Sequence, residues 1–468
     1  MVTAPPVRWG FSPLDEELEL LPGPFTPSLC ESLVRLGTRM PFASVTEEIA
    51  FFLKVKVGEP TARRKTENAG QAYVETQTAK VEALESRPPE SPKDEPKGPE
   101  VQLMSVDGAI GWKCASSRVP LVGKHWGEVK TLVLGRVGEP KMRDGELAVH
   151  SDDLSYFSRM TAESSLSAMD HETFGRLATV ETYRRGTPTA KRVCAVNDGA
   201  EWEQKFVDLQ RPDAVRILDF GHSAEHLSAV SQAIYGAETP EARAWLSAKC
   251  HELRHEDSTK VLDELRQLSE ELAGVGGGND GPSAVLAVVN ANLEYFEKRR
   301  EQIRYVDFER LGYPIGSGAV EGGNLAGTTV PAVLVVEVRL KGSGMHWANK
   351  SIDPMVSLRT AVCSDRWAEA WPDIVRRLRA QCRDNALARR SRRKTVEEKP
   401  TETVTPATKP EEITRPTIIF SEAKQTPPLE PSATQPDDQI EPPVKLGPNR
   451  PTANHPWRHM PVGRARRL

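Results

Sequence analysis

A chain of 468 residues, 38% hydrophobic and 27% charged with a formal net charge of −4, is long enough to bury a sizeable core in about two or three domains. It has no run of about 18 apolar residues, and its first 25 residues lack the basic-then-apolar order of a secretory signal. Both argue against a membrane protein or an exported one and leave a bacterial cytoplasm as the expected location. The six cysteines (Cys30, Cys114, Cys194, Cys250, Cys363 and Cys382) show no CxxC spacing, so neither a zinc cage nor a disulfide framework is expected.

In chain order, the first elements are helical. "VTEEIAFFLKV" (45–55) places Val45, Ile49, Phe52 and Leu53 at helical spacing, and "KVGEP" breaks the pattern. "TARRKTENAGQAYVETQTAKVEAL" then resumes a helix, with Pro60 near its first turn. Two helices joined by a short glycine-containing turn make residues 1–86 a helix-turn-helix-like, DNA-binding candidate, although any helical hairpin has this pattern. In that geometry Arg63, Arg64 and Lys65, flanked by Thr61 and Thr66, would face a major groove. "RPPESPKDEPKGPE" (87–100) is expected to be an extended linker.

Residues 101–222 have the pattern of a mixed sheet. Apolar runs occur at "VQLMSVD", "EVKTLVLGRV", "GELAVH", "KRVCAVND" and "AVRILDFGH", with a helix expected at "DHETFGRLATVETYRR" before the fourth. Three strands, a helix and two further strands agree with an α/β fold of RNase H-like type. Three of the runs end in an aspartate, namely Asp107, Asp198 and Asp219. Strand ends are where exposed catalytic carboxylates sit, and neighbouring strands about 4.8 Å apart bring such ends together.

An all-helical block interrupts this core at 223–310, in four stretches separated by Gly, Pro or Ser-Thr breaks. The core resumes at 311–395. There "YPIGSGAVEGGN" (313–324) leads into a helix start with Glu321 in its first turns. "RRLRAQCRDNALARRSRRK" (376–394) carries nine Arg or Lys against one Asp, a block that would attract phosphates if it is more than a solvated helix face. Residues 396–468, rich in Pro, Thr and Glu, are expected to be a disordered tail.

The ordered motifs "SVDGA", "NDGAEW", "LDFGHSAEHL", "GYPIGSGAVEGGN", "RLKGSGMHW" and "DPMVSLRTAVCSDRWAEAW" resemble the DDE transposases of bacterial insertion sequences of the ISKra type, relatives of the mutator-like group. The resemblance covers roughly residues 10–385. It implies an RNase H-like catalytic core with a helical insertion between the second and third acids, here Asp107, Asp198 and Glu321. These three would hold two Mg²⁺ (or Mn²⁺) ions, with Asp107 bridging them; carboxylates are the ligands such hard cations prefer. Asp219 and His222 match an auxiliary D-x-x-H element, and Asp219 stays a rival for the second metal ligand. His222 would position a phosphate or be a hydrogen-bonded structural histidine.

The implied activity is DNA cleavage and strand transfer at element ends. Its partners would be terminal-repeat and target DNA and further copies of the chain, with no membrane. Arg339, Lys341 and Trp347, beside His346, would touch the transposon end, whereas Trp202, Trp367 and Trp371 are expected in the core. Two segments depart from the family pattern: "IGWKCASSR" (110–118) after Asp107, and "LAGTTVPAV" (325–333) after Glu321. A hairpin absorbs the first cheaply, but the second is poor helix material and would displace Glu321. The alternative is therefore a catalytically inactive, transposase-derived DNA-binding protein.

Overall fold

The computed structural model describes residues 20–21, 25–88, 95–114, 125–143, 146–160, 170–275, 284–316, 338–340 and 347–397, all within one compact unit, Met1–Lys399. The expected tail beyond residue 397 and the segments 317–337 and 341–346 lie outside the described residues, and residues 396–397 are helical.

The centre is a mixed sheet. Its strands are β1 (Val101–Cys114), β2 (His125–Val137), β5 (Ser151–Met160), β6 (Arg192–Asn197) and β7 (Val215–Leu218). Their order is β5-β2-β1-β6-β7, with β2 antiparallel to both β1 and β5, and β6 parallel to both β1 and β7. Val101 to Val106 and Val193 to Asn197 are buried on both faces, which is why these strands appear as mainly apolar runs without polar alternation. The first extra segment lengthens the β1–β2 pairing, which continues to Lys113↔His125. A two-residue strand β8 (Trp347–Ala348) pairs with the far end of β1.

One expected strand is corrected. "GELAVH" does not join the sheet; β4 (Glu146–Ala148) pairs only with β3 (Lys141–Arg143) as a small hairpin. The sheet's third strand is the polar-looking "SDDLSYFSRM", whose Ser155, Ser158 and Arg159 are buried. Buried polar groups need partners. Arg159 donates to Gln77 Oε1 and Ser357 Oγ, each at 2.6 Å, and Ser158 Oγ lies 2.9 Å from Thr131 Oγ1. The outer edge of β5 is closed by side chains: the Tyr156 and Met160 amides donate to Ser364 Oγ (3.0 Å) and Asp353 Oδ1 (2.7 Å).

Helices cover both faces. Met104, Val106, Leu132 and Phe157 face α4 (Asp170–Arg184) and α5 (Glu201–Gln210), where Phe174 packs on Phe157, Phe206 and Trp202. On the other face, Leu103, Cys194, Val196 and Ile217 pack under the expected helical block. That block comprises α6 (Phe220–Tyr235), α7 (Pro240–His255), α8 (Ser258–Val275), α9 (Ala284–Glu297), a 3-10 turn (Arg300–Gln302) and α10 (Tyr305–Arg310).

A third apolar core joins helices from the two sides of the sheet region in sequence, residues 27–86 and 349–397. α1 (Pro27–Gly37), α2 (Phe42–Leu53) and α3 (Glu59–Ser86) share one apolar core with α11 (Asn349–Cys363), α12 (Trp367–Glu397) and Val129, Val133 and Tyr156 of the sheet. α3 lies so close to α11 that a Cβ on Gly70 would stand 2.3 Å from the Pro354 carbonyl oxygen. Trp367 and Trp371 stack in this core, as expected. Val45 and Ile49 are buried, but Phe52 (69% exposed) and Leu53 (45%) are not. The end of the expected linker is pinned: Gly98 donates to Thr189 Oγ1 at 2.8 Å, and a Cβ there would stand 2.1 Å from the Gly186 carbonyl oxygen.

Candidate active site

The β1–β6 ladder pairs Met104 with Ala195, an offset of 91 residues (195 − 104). Beyond it, side chains replace the backbone ladder: Ser105 Oγ donates to the Val196 carbonyl at 2.6 Å, and the Val106 amide donates to Asn197 Oδ1 at 2.8 Å. Both contacts keep the offset of 91. Continued by one residue, it sets Asp107 abreast of Asp198 (198 − 107 = 91). The two strands part at this point, since β1 goes on with β2, where Asp107 is level with Thr131, while β6 ends and the chain turns at Gly199 (φ +82°). A notch at the parting of two parallel strands is where open α/β sheets place ligand-binding groups.

The electrostatics agree with close carboxylates. Burial raises the Asp198 pKa to about 6, and Asp107, Asp219 and Glu225 push the same way against the His222 imidazole. Burial raises Glu203, in the first turn of α5, to about 9, with Asp198 and Asp107 adding to the shift. Glu203 Oε2 accepts the Ala200 amide at 3.0 Å. His222 is held above its ordinary value: burial opposes its charge, but Glu225, Asp198 and Asp219 outweigh burial. Burial lowers His226, whose Nδ1 is 2.6 Å from Asn292 Oδ1.

Asp219 is placed differently from the other two acids. It is 2% exposed and caps α6: its Oδ1 accepts the His222 amide at 2.8 Å. His222 Nδ1 lies 3.5 Å from Glu225 Oε2, one turn along the same helix. The D-x-x-H spacing therefore gives a helix N-cap with a histidine in the first turn facing the carboxylates electrostatically. Glu321 and Lys341 lie outside the described residues.

The residues expected to touch DNA divide. On α3, Arg64 is exposed, Arg63 pairs with Glu67 at 3.0 Å, and Lys65 lies over the Phe25 ring at 5.5 Å. Arg339 and Trp347 are inside the protein, 2% and 5% exposed. The Arg339 guanidinium lies 4.8 Å from the Phe42 ring and 4.9 Å from the Trp347 ring, and its Nε donates to the Gly37 carbonyl at 3.1 Å. These contacts make it a tie between α1, α2 and the sheet, not a surface contact for DNA. The 376–394 block is helical as the last part of α12, with Arg377 spent on Glu75 of α3.

Several site residues carried no sequence signal of their own. Asn197 and Glu203 belong to the "NDGAEWE" run around Asp198, but Tyr295, Arg299 and Asn292 come from α9 and the turn after it, about 100 positions away. Among the described residues, no three His, Cys, Asp or Glu side chains are grouped to hold one metal ion. The two carboxylates present are nonetheless hard oxygen donors, and the Asp198 carboxyl is lifted first by burial and further by its acidic neighbours, a shift that a divalent cation would oppose. Among the described residues no helix is long and apolar enough to cross a membrane. No protein-family model matches the chain, and no curated protein matches it.

Proposed function

We propose that the protein is a DDE-type transposase that cuts DNA at the ends of an insertion sequence and joins those ends to target DNA. The observation that carries this reading is the offset of 91 residues kept from Met104–Ala195 to Val106–Asn197, which, extended by one residue, would bring Asp107 level with Asp198 where two parallel strands part. The sheet order, with the third, second and first strands antiparallel and two more parallel to the first, supports an RNase H-like core. The helices between β7 and residue 311 support a helical insertion behind the second acid.

When bound, a pair of divalent cations supplies a nucleophile at neutral pH and stabilises the leaving oxygen of an in-line displacement. Asp107 and Asp198 are the residues that would hold them, with Glu321 as the third by resemblance. The chain's own contribution is to hold the backbone that carries the two carboxylates. Asn197 and Ser105 lock β1 against β6, and His222 offsets part of the negative charge. Arg64 and the basic end of α12 are the described groups suited to DNA phosphates. Synapsis of two ends calls for further copies of the chain.

The test is cleavage of a labelled duplex carrying the repeats that flank the coding sequence, with Mg²⁺ or Mn²⁺. Cleavage by the unaltered protein and its loss in Asp107→Ala, Asp198→Ala and Glu321→Ala, with DNA binding retained, is the expected result. No cleavage by the unaltered protein, with specific binding to the repeats and an active relative cutting alongside, would overturn the enzyme in favour of a DNA-binding protein.

A further inference from the structure

The helical block grips one dipeptide. Tyr295 Oη donates to the Asp198 carbonyl, and Arg299 donates to the Gly199 carbonyl from Nε at 3.1 Å and Nη2 at 2.6 Å. Three donors from one helix and its following turn thus fall on two consecutive carbonyls beside the candidate metal ligand. The approach is close enough to require glycine, since a Cβ on Gly199 would stand 2.4 Å from Arg299 Nε.

The grip is itself braced. Arg299 lies over the Tyr295 ring, 3.8 Å from its centroid, and donates from Nη1 to the Tyr295 carbonyl at 3.0 Å. On its other side Tyr295 stacks on His226 at 3.8 Å and 17°, and Asn292 on the same helix holds His226. The attachment of the block to the sheet does not need these contacts. Leu227, Val230, Leu265, Val289 and Phe296 already form the apolar core beneath it.

We propose that Tyr295 and Arg299 are positioning residues that set the Asp198 carboxylate for a divalent cation. The helical block then serves the site as well as covering the sheet. The proposal rests on the reading of Asp198 as a metal ligand. Partners that orient a ligand through the groups around it are typically worth about 10–100-fold in metal affinity.

The test uses the full chain and its Tyr295→Phe, Arg299→Ala and Arg299→Lys variants. Mn²⁺ affinity is read from the electron paramagnetic resonance signal of free Mn²⁺, and hydrogen exchange is followed in peptides covering 197–203. Expected are faster exchange confined to that segment, about tenfold weaker Mn²⁺ binding in Tyr295→Phe and Arg299→Ala, and partial recovery in Arg299→Lys. Unchanged exchange in both variants overturns the grip. Faster exchange with unchanged Mn²⁺ affinity overturns the positioning role and leaves a purely structural contact. If the unaltered chain binds no Mn²⁺, the metal reading of Asp198 fails and the proposal fails with it; equal binding by all four proteins overturns the proposal alone.

Discussion

Asn197 Oδ1 accepts the Val106 backbone amide at 2.8 Å, one residue before each of the two carboxylates that define the candidate site. A side chain thereby takes the place of a ladder hydrogen bond at the point where β1 and β6 separate. The strands can part without leaving a buried amide unpaired.

Asn197→Leu should therefore cost more than a surface change. It strips the Val106 amide of its acceptor in a site where Asn197 is 3% exposed, for a loss of about 1–3 kcal/mol in urea unfolding. A change within about 0.5 kcal/mol would show that the strands do not depend on this bond.

Glu203→Gln tests the electrostatics. The folded state keeps the Glu203 proton to a pKa of about 9, whereas an ordinary glutamate releases it near 4.5. Between those values the unfolded chain binds fewer protons, so the stability contributed by neutral Glu203 is full below about pH 4.5 and is lost as pH rises toward 9. Glutamine keeps an acceptor for the Ala200 amide and has no proton to lose. Urea unfolding at pH 5 and pH 8.5 should show a smaller decline for the variant than for the unaltered chain, and equal declines would count against a neutral Glu203.

Gly70→Ala should separate α3 from α11. The obstacle is backbone, the Pro354 carbonyl, which cannot swing aside as a side chain would. We expect a loss of about 1–3 kcal/mol and a lower Tm by calorimetry, despite the better helix propensity of alanine. A gain in stability would mean that the two helices can move apart freely.

Arg339→Met and Arg64→Ala should fail in opposite assays. The first removes a buried guanidinium with one backbone acceptor and two facing rings, and should cost about 2–4 kcal/mol of stability. The second alters an exposed side chain and should leave the Tm unchanged, while weakening DNA binding and lowering its salt dependence. Fluorescence anisotropy across a salt series, beside thermal unfolding, checks both.

Where the sequence pattern matched a physical period, it was legible. The first half of β1 and nearly all of β6 are buried on both faces, and the helical block keeps a 3.6-residue apolar repeat over four stretches. The pattern failed where long-range contacts reversed the meaning of a residue type. Ser158 and Arg159 look like surface yet lie inside, where partners 27 to 198 positions away take up their hydrogen bonds. Phe52 looks like core yet is 69% exposed, meeting the Phe51 ring edge-on at 5.0 Å.

The sequence by itself determined that the chain holds a mixed α/β core interrupted by helices, and that three apolar runs close on an aspartate, although β1 runs on past Asp107 to Cys114 instead of ending there. Those are local properties, written in apolar spacing and turn residues. Only the tertiary structure decided how these aspartates are held. The β1–β6 contacts reach Val106 and Asn197, the residues just before Asp107 and Asp198, while the Asp219 side chain caps its own helix. It also decided that Arg339 is buried and that Tyr295 and Arg299 reach the Asp198–Gly199 carbonyls. The physical reason is that register, burial and hydrogen-bond partnership are set by groups about 90 to 300 positions apart, whose meeting no local period encodes.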